Sequence, residues 1–159
     1  MDSMVELYTE RAKNEILAAQ SLKRLSEEIR FKEDFQLSGD VTFYSSVISH
    51  SYYAIFYAAK AILLTKGIRT YAPEVHRKTI EEFEKNFVDT GILDVKLLEI
   101  YNKMVVRADE LLEIFRNEKG KRGKFTYRTI PLANKEPAED SLKNAMFFVS
   151  NIVKVIEKE

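Results

Sequence analysis

The chain has 159 residues, which is long enough for a single domain that buries a core, and we expect one domain over residues 1–159. It has no cysteine, which excludes a disulfide framework, a thiolate metal site and a cysteine nucleophile. Its 25 basic residues balance 25 acidic ones, so no overall positive field indicates a nucleic-acid partner. The charged N-terminus and the lack of a long apolar run predict a soluble, cytoplasmic protein that does not enter a membrane.

The N-terminal half predicts two long helices. Apolar residues recur at steps of three and four over residues 5–29, and Ser3 and Glu6 are spaced as a capping box at the start. After a charged break at residues 31–40, a second helix is predicted over about residues 41–66, with Gly67 as its stop. The middle of this helix is apolar on most sides, which is typical of a helix surrounded by others.

Three further helices are predicted in the C-terminal half. Pro73 suits the first turn of a short third helix that ends at Gly91, Asp94 can cap a fourth, and a fifth begins at Pro137. The fourth helix has an expected inward face of Leu98, Tyr101, Val105, Ala108, Leu112 and Phe115. Residues 124–130 suit a short extended piece. The pattern predicts an all-α, up-and-down bundle of four to five helices.

Arg69 and His76 are candidate catalytic residues, separated by six positions in the connection between the second and third helices. An arginine holds a phosphate with its planar fork, and a histidine exchanges a proton near neutral pH. Together they suffice for metal-independent cleavage of an RNA phosphodiester. The alternative is that His76 only solvates or caps the start of a helix.

A polar stripe on the second helix is a candidate ligand-binding face. His50, Tyr53, Tyr57 and Lys60 lie at helical spacing and would hydrogen-bond to and stack on a base if they faced a cleft. Facing a neighbouring helix, the same tyrosines would be core residues, and a dimer interface would use them equally well.

Arg107 is a further candidate ligand-binding residue, on the fourth helix. Asp109 is two positions away and points in a different direction, so the two are not expected to pair. We expect Arg107 to reach another helix or a ligand.

A basic loop over about residues 116–136 precedes the last helix. Lys121, Arg122, Lys124 and Arg128 are interleaved with Tyr127, a composition that suits single-stranded RNA and equally suits a solvated loop. With two histidines and no cysteine, no metal site is expected, and no phosphate-binding glycine motif predicts a cofactor.

The run SHSYYAIFYAAKAILLTKG, followed by EVHRKTIEEFEKNFVDTG and the RAD of the fourth helix, resembles the HEPN superfamily, and within it an uncharacterised, UPF0332-like prokaryotic branch. The resemblance covers residues 6–156. It implies a four- to five-helix bundle, commonly a homodimer, often encoded beside a minimal nucleotidyltransferase as half of a toxin–antitoxin pair. It also implies nucleotide or RNA binding, and the active members of the superfamily are metal-independent endoribonucleases.

The active members carry an arginine, four to six further residues and a histidine, with a polar residue after the arginine. Arg69, Thr70 and His76 match that spacing, although active members have the motif near a later helix. Three hypotheses follow: a module that binds a nucleotide or a nucleotidyltransferase, a ribonuclease with His76 as acid or base and Arg69 on the phosphate, or a helical scaffold only.

Overall fold

The computed structural model describes residues 2–120 and 135–158, with side chains for residues 2–113 and 135–158. Over these residues it has no strand and six α-helices: α1 (Ser3–Glu27), α2 (Ile29–Asp34), α3 (Tyr44–Thr65), α4 (Val75–Phe83), α5 (Val95–Gly120) and α6 (Lys135–Lys158). A π-helical turn, Glu84–Val88, continues α4. The predicted all-α bundle is confirmed, with α2 as one helix more than predicted. The extended piece predicted at residues 124–130 lies outside the described residues.

Helix α3 is the central helix of the bundle. It packs most extensively against α1 and α6 and also contacts α4 and α5. Ala54, Ala59 and Ala61 are fully buried, and their small side chains let the neighbouring helices approach closely while Ile55 and Ile62 fill the space between them. Among the described helices α3 alone has the length and hydropathy of a membrane span, but 72% of its apolar segment is buried inside the protein. That burial identifies it as a core helix.

The start of α1 differs from the prediction. Asp2 is the N-cap, and its carboxylate accepts a hydrogen bond of 2.8 Å from the backbone N–H of Met4. Ser3 is therefore the first helical residue, and the capping box proposed for Ser3 and Glu6 is wrong. Both aspartate and serine are good N-caps, and the helix begins one residue earlier than the sequence pattern suggests.

The charged segment after α1 is partly helical, whereas the sequence was interpreted as a break. The backbone becomes extended at Glu28, and α2 then forms a short, separate helix. Lys32 on α2 is buried, and its ammonium donates to the carbonyl of Gly39 at 2.6 Å, so the charge is satisfied by backbone. Because a lysine in a sequence is usually taken to be exposed, the charged segment was interpreted as a break and α2 was not predicted.

Gly67 ends the central helix as predicted. Its φ of 70° lies in the left-handed region that glycine adopts without strain. The N–H of Ile68 donates to the carbonyl of Leu63, and that of Gly67 donates to Leu64, which together form a Schellman motif. At the other end, α3 begins at Tyr44, three residues later than predicted.

The third predicted helix corresponds to α4 and its π-helical turn. It begins at Val75, two residues after Pro73, with Glu74 as a left-handed N-cap. Helical structure ends at Val88, ahead of Gly91, which has a φ of 77° in the following turn.

The inward face of α5 was predicted partly wrongly. Leu98 and Tyr101 are buried as predicted, Val105 and Ala108 are partly buried, and Leu112 is 53% exposed. Leu97, Met104 and Leu111, which were not assigned to this face, are buried as well, and the side chain of Phe115 lies outside the described residues. The cap was predicted correctly, because Asp94 accepts a hydrogen bond of 2.8 Å from the N–H of Lys96.

Candidate functional site

A groove lies between α3, α4 and α5 and encloses about 480 Å³. We call it the aromatic groove; its lining includes Tyr52 and Tyr53 from α3, His76 and Ile80 from α4, and Asn102, Val105, Ala108, Asp109 and Leu112 from α5. The residues Val105, Ala108 and Leu112 belong to the stripe that the sequence assigned to the core. Val105 and Ala108 are partly buried against the core, and together with the exposed Leu112 they form an apolar wall of the groove.

His76 is held in the groove by one hydrogen bond and by ring contacts. Its Nδ1 lies 2.7 Å from the hydroxyl of Tyr52, which is itself almost fully buried. The imidazole stacks on Phe56 with 4.3 Å between ring centroids, and Tyr53 meets its edge at 6.0 Å. These contacts fix the ring in one orientation although His76 remains exposed.

The protonation of this pair follows from its surroundings. Loss of solvent lowers the pKa of His76 below its usual 6.5, and the positive charge of Lys60 lowers it further. Burial raises the pKa of the Tyr52 phenol, with smaller contributions from Tyr53 and Asp109. A protonated phenol and a neutral imidazole can each donate or accept, so the contact is one hydrogen bond between two uncharged groups.

The charged groups at the groove are unequally engaged. Arg77 is hydrogen-bonded to Glu74 at 2.7 Å and to Glu81 at 2.9 Å. Among the described residues, no hydrogen bond or ion pair engages the exposed carboxylate of Asp109. His76 is neutral near pH 7, so within the described lining of the groove the Asp109 carboxylate is the one negatively charged acceptor without a partner.

Arg69 lies apart from His76. It lines a small cavity of about 40 Å³ with Met4, Tyr8 and other residues, and it does not line the aromatic groove. Thr70, the polar residue after the arginine, is buried and hydrogen-bonded to the hydroxyl of Thr79 at 2.7 Å. The spacing of Arg69 and His76 in the sequence thus does not bring the two into one described cavity.

The predicted polar stripe is divided between two environments. Tyr53 lines the aromatic groove and is 40% exposed. His50 and Tyr57 are turned towards α1: Nδ1 of His50 lies 2.5 Å from a carboxylate oxygen of Glu15, and the hydroxyl of Tyr57 accepts from Arg11 at 2.7 Å. These two residues therefore join helices within the bundle.

Lys60 also lies outside the groove. Its ammonium donates to the carbonyl of Thr70 at 3.3 Å and lies 5.0 Å from the centre of the Tyr8 ring. It holds the connection that follows α3, and it acts on the groove through its charge near His76.

Arg107 reaches another helix, which is one of the two outcomes expected for it. Its guanidinium donates to the Asp140 carboxylate and to the Ser141 hydroxyl, each at 2.9 Å, and to the carbonyl of Pro137 at 3.3 Å. It therefore binds α5 to the first turns of α6.

Several groove residues are absent from the predicted site, among them the polar residues Tyr52, Asn102 and Asp109. Ser49, Tyr52, Tyr53 and Phe56 follow the three- and four-residue spacing of one helix face, beside the polar stripe. That spacing was the available signal for Tyr52. The RNA-binding candidates Lys121, Arg122, Lys124, Tyr127 and Arg128 lie outside the described residues, within which no cluster of three His, Asp or Glu suits a metal ion.

A central helix enclosed by long helices, with a groove beside a short fourth one, defines the protein as a small helical-bundle domain. The chain belongs to the HEPN domain family, whose match covers residues 29–157. It is 31% identical over 115 residues to "Putative toxin MJ0605" of Methanocaldococcus jannaschii, a match that spans 72% of each chain. It is 30% identical over 112 residues to a UPF0332 protein of Thermotoga maritima, across 70% of this chain and 72% of that one.

A shorter match joins the chain to "Putative toxin MJ0142" of Methanocaldococcus jannaschii, with 43% identity over 61 residues. It spans 38% of this chain and 40% of that protein. No solved structure matches the chain.

Proposed function

We propose that this protein is a single-domain, cytoplasmic HEPN module that forms a homodimer, binds a nucleotide or RNA in the aromatic groove, and works with a minimal nucleotidyltransferase in a toxin–antitoxin pair. The observation that carries the binding role is the groove itself. Its volume of about 480 Å³ is within the range of small-ligand sites, and such sites combine apolar walls with a few fixed polar groups.

The walls suit a nucleobase in particular. Tyr53 and His76 present ring surfaces, and a base stacks on such rings with a stabilisation of about 1–3 kcal/mol. His76 is held by Tyr52 and Phe56, so little conformational entropy is lost when a ligand binds. The toxin–antitoxin role rests on family membership and on two relatives that carry the word toxin in their names.

Binding in the groove is tested with paired tyrosine variants. Tyr53→Ala removes a ring from the groove, whereas Tyr71→Ala removes an exposed ring that lies outside it. We expect Tyr53→Ala to weaken binding of a mixed RNA or nucleotide pool, measured by calorimetry or mobility shift, and Tyr71→Ala to leave it unchanged. If both variants bound the pool as tightly as the wild type, the groove would not be the binding site.

The assembly is tested separately. Light scattering on the purified protein should give twice the mass of the chain, and the nucleotidyltransferase encoded by a neighbouring gene should co-purify with it. A monomeric mass would contradict the homodimer, and a nucleotidyltransferase that elutes alone would contradict the partnership.

The second candidate function is a metal-independent endoribonuclease, favoured by the single orientation of His76 beside a groove. In this function His76 would act as acid or base. Because Arg69 lines a different cavity, either Arg69 would have to move towards the groove or another arginine would have to stabilise the phosphate. The purified protein is incubated with an RNA pool and a chelator. The same assay is run with His76→Ala as the test variant and with His50→Ala as the control variant. Cleavage lost only in His76→Ala would establish the nuclease, and binding without cleavage would remove it.

The third candidate, a helical scaffold without a ligand, is separated by thermal melting. A scaffold predicts that neither nucleotide nor RNA changes the melting temperature. The proposed binding function predicts an increase in it, because a ligand that binds only the folded state stabilises that state.

A further inference from the structure

The polar groups of the aromatic groove define which base it can hold. The inference rests on the proposed function, because it names the ligand of that same site. Asp109 and Asn102 lie seven residues apart on α5, so they lie on one face of the helix, about 10 Å apart along its axis. Val105 and Ala108 lie between them. The α5 wall thus has two polar ends separated by an apolar strip, which suits a flat ring with apolar faces and polar edges.

The electrostatics of the groove favour a base over a phosphate. Among the described residues that line it, the one cationic side chain, Arg77, is held by Glu74 and Glu81, and His76 is uncharged near neutral pH. The carboxylate of Asp109 repels an anion. A phosphate would therefore lie outside the groove in solvent, and the group that enters it should be a hydrogen-bond donor.

We propose that the aromatic groove selects guanine, with the carboxylate of Asp109 accepting the two adjacent donors of its Watson–Crick edge and the Tyr53 ring covering its face. Guanine alone among the four RNA bases presents two neighbouring N–H donors, at N1 and N2, to which a carboxylate binds with two parallel hydrogen bonds. Adenine and cytosine place an acceptor beside one donor, and uracil places its single N–H between two acceptors. For these three bases a carboxylate gains one hydrogen bond and meets a lone pair.

Asn102 and Ser49 supply neutral donors for the opposite edge of the base. An amide or a hydroxyl can donate to O6 or N7 of guanine without adding charge to the groove. A charge-assisted, two-bond contact to a base commonly discriminates against the wrong base by about 1–3 kcal/mol, which corresponds to a factor of about 5 to 150 in affinity. The preference for guanine is therefore expected to depend mainly on Asp109.

The test compares the four nucleoside monophosphates by calorimetry on the 159-residue chain. GMP should bind about 5 to 150 times more tightly than AMP, CMP or UMP. Asp109→Asn keeps the size of the side chain and replaces one acceptor oxygen with an amide donor, so it should lower the affinity for GMP to that for the other nucleotides. Glu110→Gln is the matched control, because Glu110 is the neighbouring exposed carboxylate and does not line the groove. It should leave the affinity for GMP unchanged.

A guanine can belong to a free nucleotide or to single-stranded RNA, and a second arm distinguishes the two. Hexauridylate is compared with the same oligomer carrying one guanosine, both with 2′-O-methyl groups so that cleavage cannot occur. Tight binding of the guanosine oligomer together with weak binding of GMP identifies RNA as the source. The reverse result identifies the free nucleotide.

The outcomes separate this inference from the proposed function. Equal binding of all four nucleotides, or an unchanged preference for guanine in Asp109→Asn, overturns the guanine assignment and leaves nucleotide binding in place. Absence of binding to every nucleotide and oligomer overturns both. Circular dichroism melts of Asp109→Asn and Glu110→Gln establish that both variants remain folded, so that a lost affinity reports the contact.

Discussion

The hydroxyl of Tyr52 lies 2.7 Å from Nδ1 of His76 and joins the central helix to the first turn of α4. Tyr52 is 8% exposed, so water competes poorly for its hydroxyl. The bond therefore fixes both the position of α4 and the orientation of the imidazole that lines the aromatic groove.

Replacing Tyr52 by phenylalanine should destabilise the protein by about 1 kcal/mol, because it removes a hydrogen bond and keeps the ring. Urea unfolding of the variant measures the loss. Tyr44→Phe is the control: Tyr44 is also buried on α3, but its hydroxyl lies 3.4 Å from Glu27, beyond the usual length of such a bond. Removal of the Tyr44 hydroxyl should lower the free energy of unfolding by less than about 0.5 kcal/mol. A larger decrease for Tyr44→Phe than for Tyr52→Phe would contradict a stabilising bond between Tyr52 and His76.

His76 should titrate below pH 6.5 in the folded protein, and NMR of its ring protons measures the midpoint. Lys60→Met should raise that midpoint, since the lysine charge is one of the two causes of the lowered pKa. Lys66→Met removes a neighbouring lysine that is held by the Asn86 carbonyl, and it should have no effect on the midpoint. A His76 midpoint at or above 6.5 in the wild type would show that the ring is better solvated than its contacts indicate.

The same shift makes the folded protein sensitive to acid. The unfolded chain binds a proton at His76 near pH 6.5, whereas the folded chain binds it only at lower pH. The stabilisation is therefore fully present above pH 6.5 and is lost as the pH falls through that value towards the folded pKa. Denaturant unfolding between pH 7.5 and pH 5 should show a steeper loss in the wild type than in His76→Gln. If the stability of the wild type and of His76→Gln fell equally with decreasing pH, the acid sensitivity would come from other groups.

Arg107→Ala should destabilise the protein by about 2 kcal/mol, because the side chain is only 19% exposed and its loss leaves the buried Ser141 hydroxyl without this donor and removes one of the donors to Asp140. The control is Lys103→Ala, which removes a second partner of Asp140 at 2.8 Å but is 52% exposed. An exposed ion pair contributes at most about 1 kcal/mol. Urea unfolding of both variants compares the costs, and equal losses would show that Arg107 is not the structural link between α5 and α6.

Thr70 and Thr79 form a buried pair that offers a double-mutant test. Thr79→Val keeps the shape but leaves the Thr70 hydroxyl without its side-chain partner, at a cost of about 1–3 kcal/mol. Adding Thr70→Val removes the unpaired group, so the double variant should be more stable than the Thr79→Val variant. Strictly additive losses in thermal or urea unfolding would mean that the two hydroxyls do not depend on each other.

Sequence periodicity predicted the elements well where burial follows helical spacing. Val5, Ala12 and Ala19 lie seven residues apart and are all buried, and the requirement of a left-handed residue after α3 made Gly67 predictable. Periodicity could not choose between two adjacent apolar stripes on α5, because that choice depends on how the helix packs against α3 and α6. Leu98 and Tyr101 of the predicted stripe are buried, whereas Leu112 is exposed and borders the groove.

The candidate site was predictable only in part, for a related reason. His76 could be selected by its chemistry, but its partner Tyr52 is 24 residues away in the sequence and has the pattern of a core residue. Arg69 was paired with His76 by spacing along a connection, and spacing outside a helix does not fix direction. The chain takes a left-handed turn at Glu74 between the two, and they line different cavities.

Helix α4 has only nine residues and packs chiefly on α3, whereas α3 is enclosed by several helices. Short elements with few neighbours open at a lower free energy than the core does, so α4 should detach transiently while the rest of the bundle stays folded. Each opening would carry His76 and Ile80 away from α5. Amide hydrogens of α4 should thus exchange with solvent faster than those of α3, and a ligand in the groove would slow exchange in α4 while leaving the central helix unchanged.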